Sequence, residues 1–262
     1  MDFSASEWLN LFARWVHVFS AILWVGTTYY FTWLDGQLRK GGAVWMVHSG
    51  GFYTVEKRQT LGVAPDQVHW FKWEAAITWL SGMTLITIVY YLGGALDETP
   101  GEGLSNATLA HIGAASLLVA WIVYDVLARS PLAKSEAAFA IVGFALLMAA
   151  AYGLRTIFSG RATYIHVGAI MGTIMTANVW MRILPPQRRM IAAVARGEAL
   201  DPAAGAGAKL RSKHNTFMAV PVVFIMISNH FPIATYGSDY AIGVLGALIL
   251  VGWLMAAAAR RA

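Results

Sequence analysis

The sequence predicts an all-α integral membrane protein of about seven transmembrane helices. Three observations carry that reading. Apolar residues make up 58% of the 262 and charged residues only 13%, where soluble chains carry about 25% charged residues. Several apolar runs reach the roughly 20 residues that a helix needs to cross about 30 Å of hydrocarbon. Basic segments between those runs contrast with segments that hold no Lys or Arg, the pattern that membrane orientation imposes on loops.

The spans are expected at about 9–33, 70–95, 107–128, 136–158, 162–184, 215–233 and 240–259, in a single helical-bundle domain covering 1–262. Segment 35–68 holds Arg39, Lys40, Lys57 and Arg58, and segment 129–135 holds Arg129 and Lys134. Segment 185–213 holds Arg188, Arg189, Arg196, Lys209, Arg211 and Lys213, and the tail holds Arg260 and Arg261. Segment 96–106 has Asp97, Glu98 and Glu102 with no Lys or Arg. The positive-inside rule then places the N-terminus outside and the C-terminus in the cytoplasm. Arg155 and Arg161 fall on the outer side, against that trend.

Two loops have their own character. VWMVHSGGFYTVEK (44–57), within a loop of about 41–60, alternates around Ser49-Gly50-Gly51 and reads as a β-hairpin on the cytoplasmic face. The basic loop of about 185–213 reads as a short helix followed by a mobile Ala/Gly linker, DPAAGAGAK, near lipid head groups.

Composition also excludes chemistry. With no cysteine, disulfides, iron–sulfur clusters, thiolate zinc sites and C-x-x-C-H haem attachment are ruled out. The net charge of +5 fits basic cytoplasmic loops, and no nucleic-acid pattern is present. The N-terminal MDFSASEWLNLFARW lacks a basic n-region and a small-residue cleavage site, so the first apolar stretch is expected to be retained.

An internal repeat is visible. ATLAHIGA (107–114) opens the third expected span, ATYIHVGA (162–169) the fifth, and the looser RWVHVFSA (14–21) lies in the first. Three matches in register point to duplicated helical hairpins. Each places a histidine in the outer half of an odd-numbered span: His17, His111 and His166. His230, in SNHFP, closes span six on the same side, while His69 and His214 open spans two and six at the inner side. His48 lies on the hairpin and reads as a surface residue.

An ionisable group inside a bilayer is costly without a partner and marks function by default. Neutral imidazole is the commonest metal ligand. Two imidazoles flanked by small residues one turn on (Ser20 and Ala21 after His17, Ala114 and Ala115 after His111) suit one or two b haems. The competing readings are hydrogen bonding between helices or placement at the interface, and zinc or copper also stays open. Arg14, one turn from His17, either holds an anion or snorkels to the surface. Asn178 and Asn229 read as interhelical glue or as contacts to a substrate amide. Trp24 either lines a cofactor pocket or packs, and Pro221 is expected to kink span six.

His17, Trp24 and Gly26, together with VHSGGFYTVEK, HWFKWEAAITWLSG, HVGAIMGTIMTANVW and KHNTFMAVPVVFIMISNHFP, resemble the membrane domain of bacterial urate hydroxylases of the PuuD type over nearly the whole chain. The His-Trp-Gly signature alone is also similar to haem-binding protoporphyrinogen oxidases. The resemblance implies a bacterial inner-membrane enzyme that oxidises urate to 5-hydroxyisourate and passes electrons to cytochrome c. It makes His17, His69, His111, His166, His214 and His230 the candidate haem ligands; Arg14, Asn178 and Asn229, read from their own chemistry and position, are the candidate catalytic groups. Family members usually continue into a cytochrome c domain, whereas this sequence ends after the seventh expected span. The alternative is therefore a non-catalytic haem b subunit that relays electrons in a larger membrane complex.

Overall fold

The computed structural model describes residues 4–39, 41–58, 63, 65–97, 103–199 and 202–261. Lys40, Glu98, Glu102 and Asp201 lie outside the described residues.

Helix α1 (Ala5–Leu38) starts where Ser4 accepts the Glu7 amide, which satisfies one of the N–H groups a helix start leaves open. Strands β1 (Val44–His48) and β2 (Gly51–Val55) then pair antiparallel, Val44 with Val55 through His48 with Gly51. Ser49 and Gly50 both have positive φ, 49° and 75°, the backbone that a two-residue turn needs to match strand twist. The hairpin is where the alternation predicted it.

Helix α2 (Trp73–Ile86) passes into a π-helical turn at Thr87–Tyr91. Helices α3 (Asn106–Leu127) and α4 (Glu136–Arg155) follow, capped by Ser105 and Ser135. Helix α5 (Gly160–Ala177), capped by Ser159, runs through a second π turn at Asn178–Ile183 into α6 (Leu184–Ala195). Just past α6, Arg196 donates two bonds to Glu198, at 2.6 and 2.7 Å, and holds that carboxyl below the usual carboxylate range. Helices α7 (Pro202–Ser228) and α8 (Ala241–Ala259) follow, and a 3-10 turn at Pro131–Lys134 links α3 to α4.

Among the described residues five helices are long and apolar enough to cross a membrane: Ala5–Leu38, Asn106–Leu127, Glu136–Arg155, Gly160–Ala195 and Ala241–Ala259. The other two expected spans map to α2, whose regular part is 14 residues, and to α7, whose first half carries Lys209, Arg211 and Lys213. The segment 202–209, expected as a mobile linker, is instead the first turns of α7. Alanine is the best helix former and proline suits a first helical position, so Ala-rich sequence behind Pro202 extends the helix. Helix α7 ends at Ser228 and α2 begins at Trp73. His230 therefore lies in a turn beyond α7 rather than closing it, and His69 lies in the non-helical approach to α2 rather than opening it.

Helix α5 is the axis of the bundle. Of the most apolar stretch of the continuous helix Gly160–Ala195 61% is buried, against 11% for α1 and α4, and α5 packs on α2, α3, α4 and α7. One core joins α2, α3 and α5 through Ile86, Leu109, Leu117, Ile165 and Ile170. A second joins α4, α5, α7 and α8 through Ala151, Tyr164, Val167, Ile225, Leu245 and Ile249.

The α7–α8 seam is held by a close approach of Gly252 to Pro221. A Cβ at position 252 would sit 2.7 Å from Pro221 Cδ and 2.9 Å from its nitrogen. Gly252→Ala is therefore expected to lower stability by about 1–3 kcal/mol, the usual cost of overpacking. Gly243→Ala on the same helix, where a Cβ meets nothing within 4 Å, should change it by no more than about 0.5 kcal/mol. Thermal unfolding in detergent distinguishes the two.

Candidate functional site

Two polar clusters sit at opposite ends of α5, and a π turn feeds each. An i→i+5 turn shifts the register of the following side chains and is found disproportionately at functional sites.

At the N-terminal end of α5, the turn at Thr87–Tyr91 presents Tyr90 and Tyr91. The Arg161 guanidinium lies 5.6 Å over the Tyr90 ring, and its Nε donates to Asn229 Oδ1 at 3.0 Å. Arg155, at the end of α4, donates to the Phe158 carbonyl at 3.2 Å. The segment after α7 folds over this end, bringing the Tyr236 carbonyl against Gly160, where a Cβ would collide with it. Between them lies a cavity of about 890 Å³ whose lining includes Arg155, Ser159, Arg161, Tyr236, Ser238 and Asp239. Two guanidiniums and the Asp239 carboxyl therefore meet at the N-terminal end of a long helix, an end whose dipole favours negative charge.

His166 lies further along α5, fully buried and ringed by Tyr90, Tyr91 and Phe158. Its Nδ1 donates to the Ala162 carbonyl at 2.7 Å, and its Nε2 accepts from the Tyr91 hydroxyl at 3.2 Å. His111, its counterpart in the repeat, donates from Nδ1 to the Ala107 carbonyl at 2.6 Å. The two repeats thus share one local device, a histidine bonded to the carbonyl one turn back. They differ in surroundings, because His111 is exposed. His17, half-buried, donates from Nδ1 to the Thr78 carbonyl of α2 at 2.9 Å, with Ser81 Oγ at 3.2 Å.

At the C-terminal end of α5 the second π turn presents Asn178 and Arg182. Asp125, buried at the end of α3, takes Arg182 through two bonds of 2.8 and 2.6 Å. It takes Arg211 of α7 at 2.9 Å and pairs with Arg129 one turn on. Asn178 donates to the Tyr124 hydroxyl and to Asn215 Oδ1, both at 2.9 Å. Asn215 donates to the Met175 carbonyl at 2.9 Å. The Tyr124 hydroxyl lies 2.8 Å from His214 Nδ1, and the His214 ring stacks on Phe139 at 4.6 Å.

Of the expected site residues, Asn178 and His214 meet in this second cluster, and His166 and Asn229 belong to the first through Tyr90 and Arg161. Arg14 is exposed and donates to Asn10 at 2.6 Å. His69 is exposed against Phe71, and His230 is exposed. Trp24 packs with Trp70 and Trp180 around Ala75, Val179 and Leu184. Among the described residues no hydrogen bond or ring contact joins two of the six candidate histidines, and none forms a group of three or more metal-ligating side chains. Sequence reasoning missed Asp125, Tyr124 and Asn215, and took Arg211 as a loop charge. An acidic residue ending an otherwise apolar span was the available signal for Asp125.

The donor chemistry permits a test of fit to haem. A haem-ligating histidine characteristically commits Nδ1–H to a carbonyl and leaves Nε2 for the metal. His17 and His111 meet that requirement. His166 does not, since its Nε2 is taken by Tyr91.

The family described as Urate oxidase N-terminal matches residues 4–259. The chain belongs to the urate oxidase N-terminal family. The match runs from the first turn of α1 to the last residue of α8, so both clusters and the β-hairpin lie inside the family region. It agrees with the resemblance to the membrane domain of urate hydroxylases carried by the long histidine-bearing strings. Neither a curated protein nor a solved structure matches the chain.

Proposed function

We propose that this family member is a haem b-binding membrane oxidoreductase that oxidises urate to 5-hydroxyisourate and delivers the electrons to a cytochrome c. The half-reaction adds a water oxygen at the urate C5 and releases two electrons and two protons. The observation that carries the reading is the cleft of about 890 Å³ between Arg155 and Arg161. Urate is a monoanion at neutral pH, and a guanidinium offers a planar fork of donors to such an oxygen-rich heterocycle. Arg161 is held in place from two sides, by the Asn229 amide oxygen and by the Tyr90 ring. Asn229 is then a positioning residue for Arg161 rather than a direct contact.

His17 and His111 are the residues that would hold haem iron through Nε2. A b haem supplies one-electron acceptance. In the proposed arrangement seven helices cross the bacterial inner membrane, α2 with its π turn and α7 among them, and the cleft faces outward. A second reading is a two-haem electron-transfer subunit of a larger complex, with His214, whose Nδ1 meets the Tyr124 hydroxyl, at the opposite end of α5. Two b haems per chain in a pyridine haemochrome assay would support it.

The primary test is optical. Purified protein is expected to show a Soret band, and anaerobic urate is expected to shift it to the reduced form. Bound haem that urate leaves oxidised would overturn the enzymatic reading. His17→Ala is expected to lose most of the Soret absorbance.

A further inference from the structure

The cluster at the C-terminal end of α5 has more positive charge than its own carboxylate neutralises. Asp125 faces Arg129, Arg182 and Arg211, which leaves a formal surplus of two positive charges. Each Asp125 oxygen already accepts two of these bonds, Oδ1 from Arg182 and Arg211, Oδ2 from Arg182 and Arg129. Arg211 is buried as deeply as Asp125, so this pair is closed from outside. Arg182 and Arg129 are not, with side chains 35% and 58% exposed. The hydrogen bonds of these two arginines use only part of their donor sets, and a guanidinium has five N–H groups in a planar fork.

What adjoins that open rim gives the ligand its chemistry. Leu118, Ile122 and Val126 are exposed on α3 at four-residue spacing, and Arg129 follows Val126 three residues on, in the turn just past the helix end. They therefore form one stripe on one helix face, roughly 16 Å long at the α-helical rise. An apolar stripe ending in a double guanidinium rim matches an amphiphile with an anionic head.

We infer that Arg129 and Arg182 form a binding site for an anionic phospholipid, with the phosphate on the two guanidiniums and an acyl chain along Leu118, Ile122 and Val126. A phosphate oxygen accepts strong, charge-assisted bonds from arginine. The same oxygens occur in free phosphate, but only the lipid uses the apolar stripe. The site does not depend on the urate reading, because it lies at the other end of α5 and shares no residue with the cleft.

The test is native mass spectrometry of the full chain from mixed micelles containing phosphatidylglycerol or phosphatidylcholine, paired with thermal unfolding in the same micelles and in inorganic phosphate. Phosphatidylglycerol is expected to be retained and to raise the unfolding temperature, with phosphatidylcholine doing neither. Arg129→Gln removes a rim residue without touching the Arg182 and Arg211 pairs, and should weaken retention on the order of tenfold, as loss of one charge-assisted contact does. Arg182→Gln should do the same or more, and Arg129→Gln keeps the test interpretable if Arg182→Gln fails to fold. Equal retention of the two lipids, an equal temperature rise with inorganic phosphate alone, or unchanged retention by Arg129→Gln would each overturn the assignment.

Discussion

Asp125→Ala is expected to be among the most destabilising single substitutions in the protein, at about 3–5 kcal/mol, because it leaves a buried guanidinium without its counter-charge. Arg211 is as buried as Asp125; besides the Tyr124 ring 5.0 Å away, it bonds the Asp125 backbone carbonyl and Asn178 Oδ1, at 3.3 and 3.4 Å. Neither carries charge. Arg182 loses both of its bonds to the carboxylate at once, and three guanidiniums then repel one another at the meeting point of α3, the π turn and α7. The double variant Asp125→Ala/Arg211→Met should recover much of the loss, since removing both partners of a buried pair is far cheaper than removing one. Detergent unfolding midpoints measure both. A single variant within 1 kcal/mol of wild type would show that the pair contributes little.

Arg161→Gln is expected to raise the urate concentration for half-maximal haem reduction by about 10–100-fold, the scale of losing a charged partner to a bound anion. Arg161→Lys keeps the charge but not the fork, and should recover only part of the loss. Asn229→Ala should move the same quantity in the same direction by a smaller factor, because it frees Arg161 without removing it. Titration of the purified protein with urate, followed at the Soret band, reads all three. A uniform fall in stability with unchanged urate dependence would assign Arg161 a purely structural role.

The two predictions differ in how readable their residues were from sequence. Arg161 stands immediately before the repeat ATYIHVGA as a positive charge against the orientation trend. Asn229 and Asn178 stood out as amides in apolar surroundings. Asp125 did not, because at the end of a span it reads as a loop charge. Its significance depends on Arg182 and Arg211, which are 57 and 86 residues away in the chain. The histidines show the converse. Their place in the repeat was legible, but His166 and His111 occupy the same place in it and differ completely in burial. The reason is that α5 is surrounded on several sides, whereas this face of α3 is open.

By itself the sequence determined what bulk solvation physics controls. Apolar runs with few charges made helices able to cross a membrane, Ser-Gly between alternating residues made the hairpin, and the repeated His strings gave His111 and His166 the same bond to the carbonyl one turn back. Only the tertiary structure decided which helix became the axis, that two π turns would aim Tyr90, Tyr91, Asn178 and Arg182 into clusters, and that one aspartate would gather three arginines. Hydropathy and spacing act along a single helix. Charge pairing and burial are properties of neighbours in space, and helix order in a bundle is not written in any one segment.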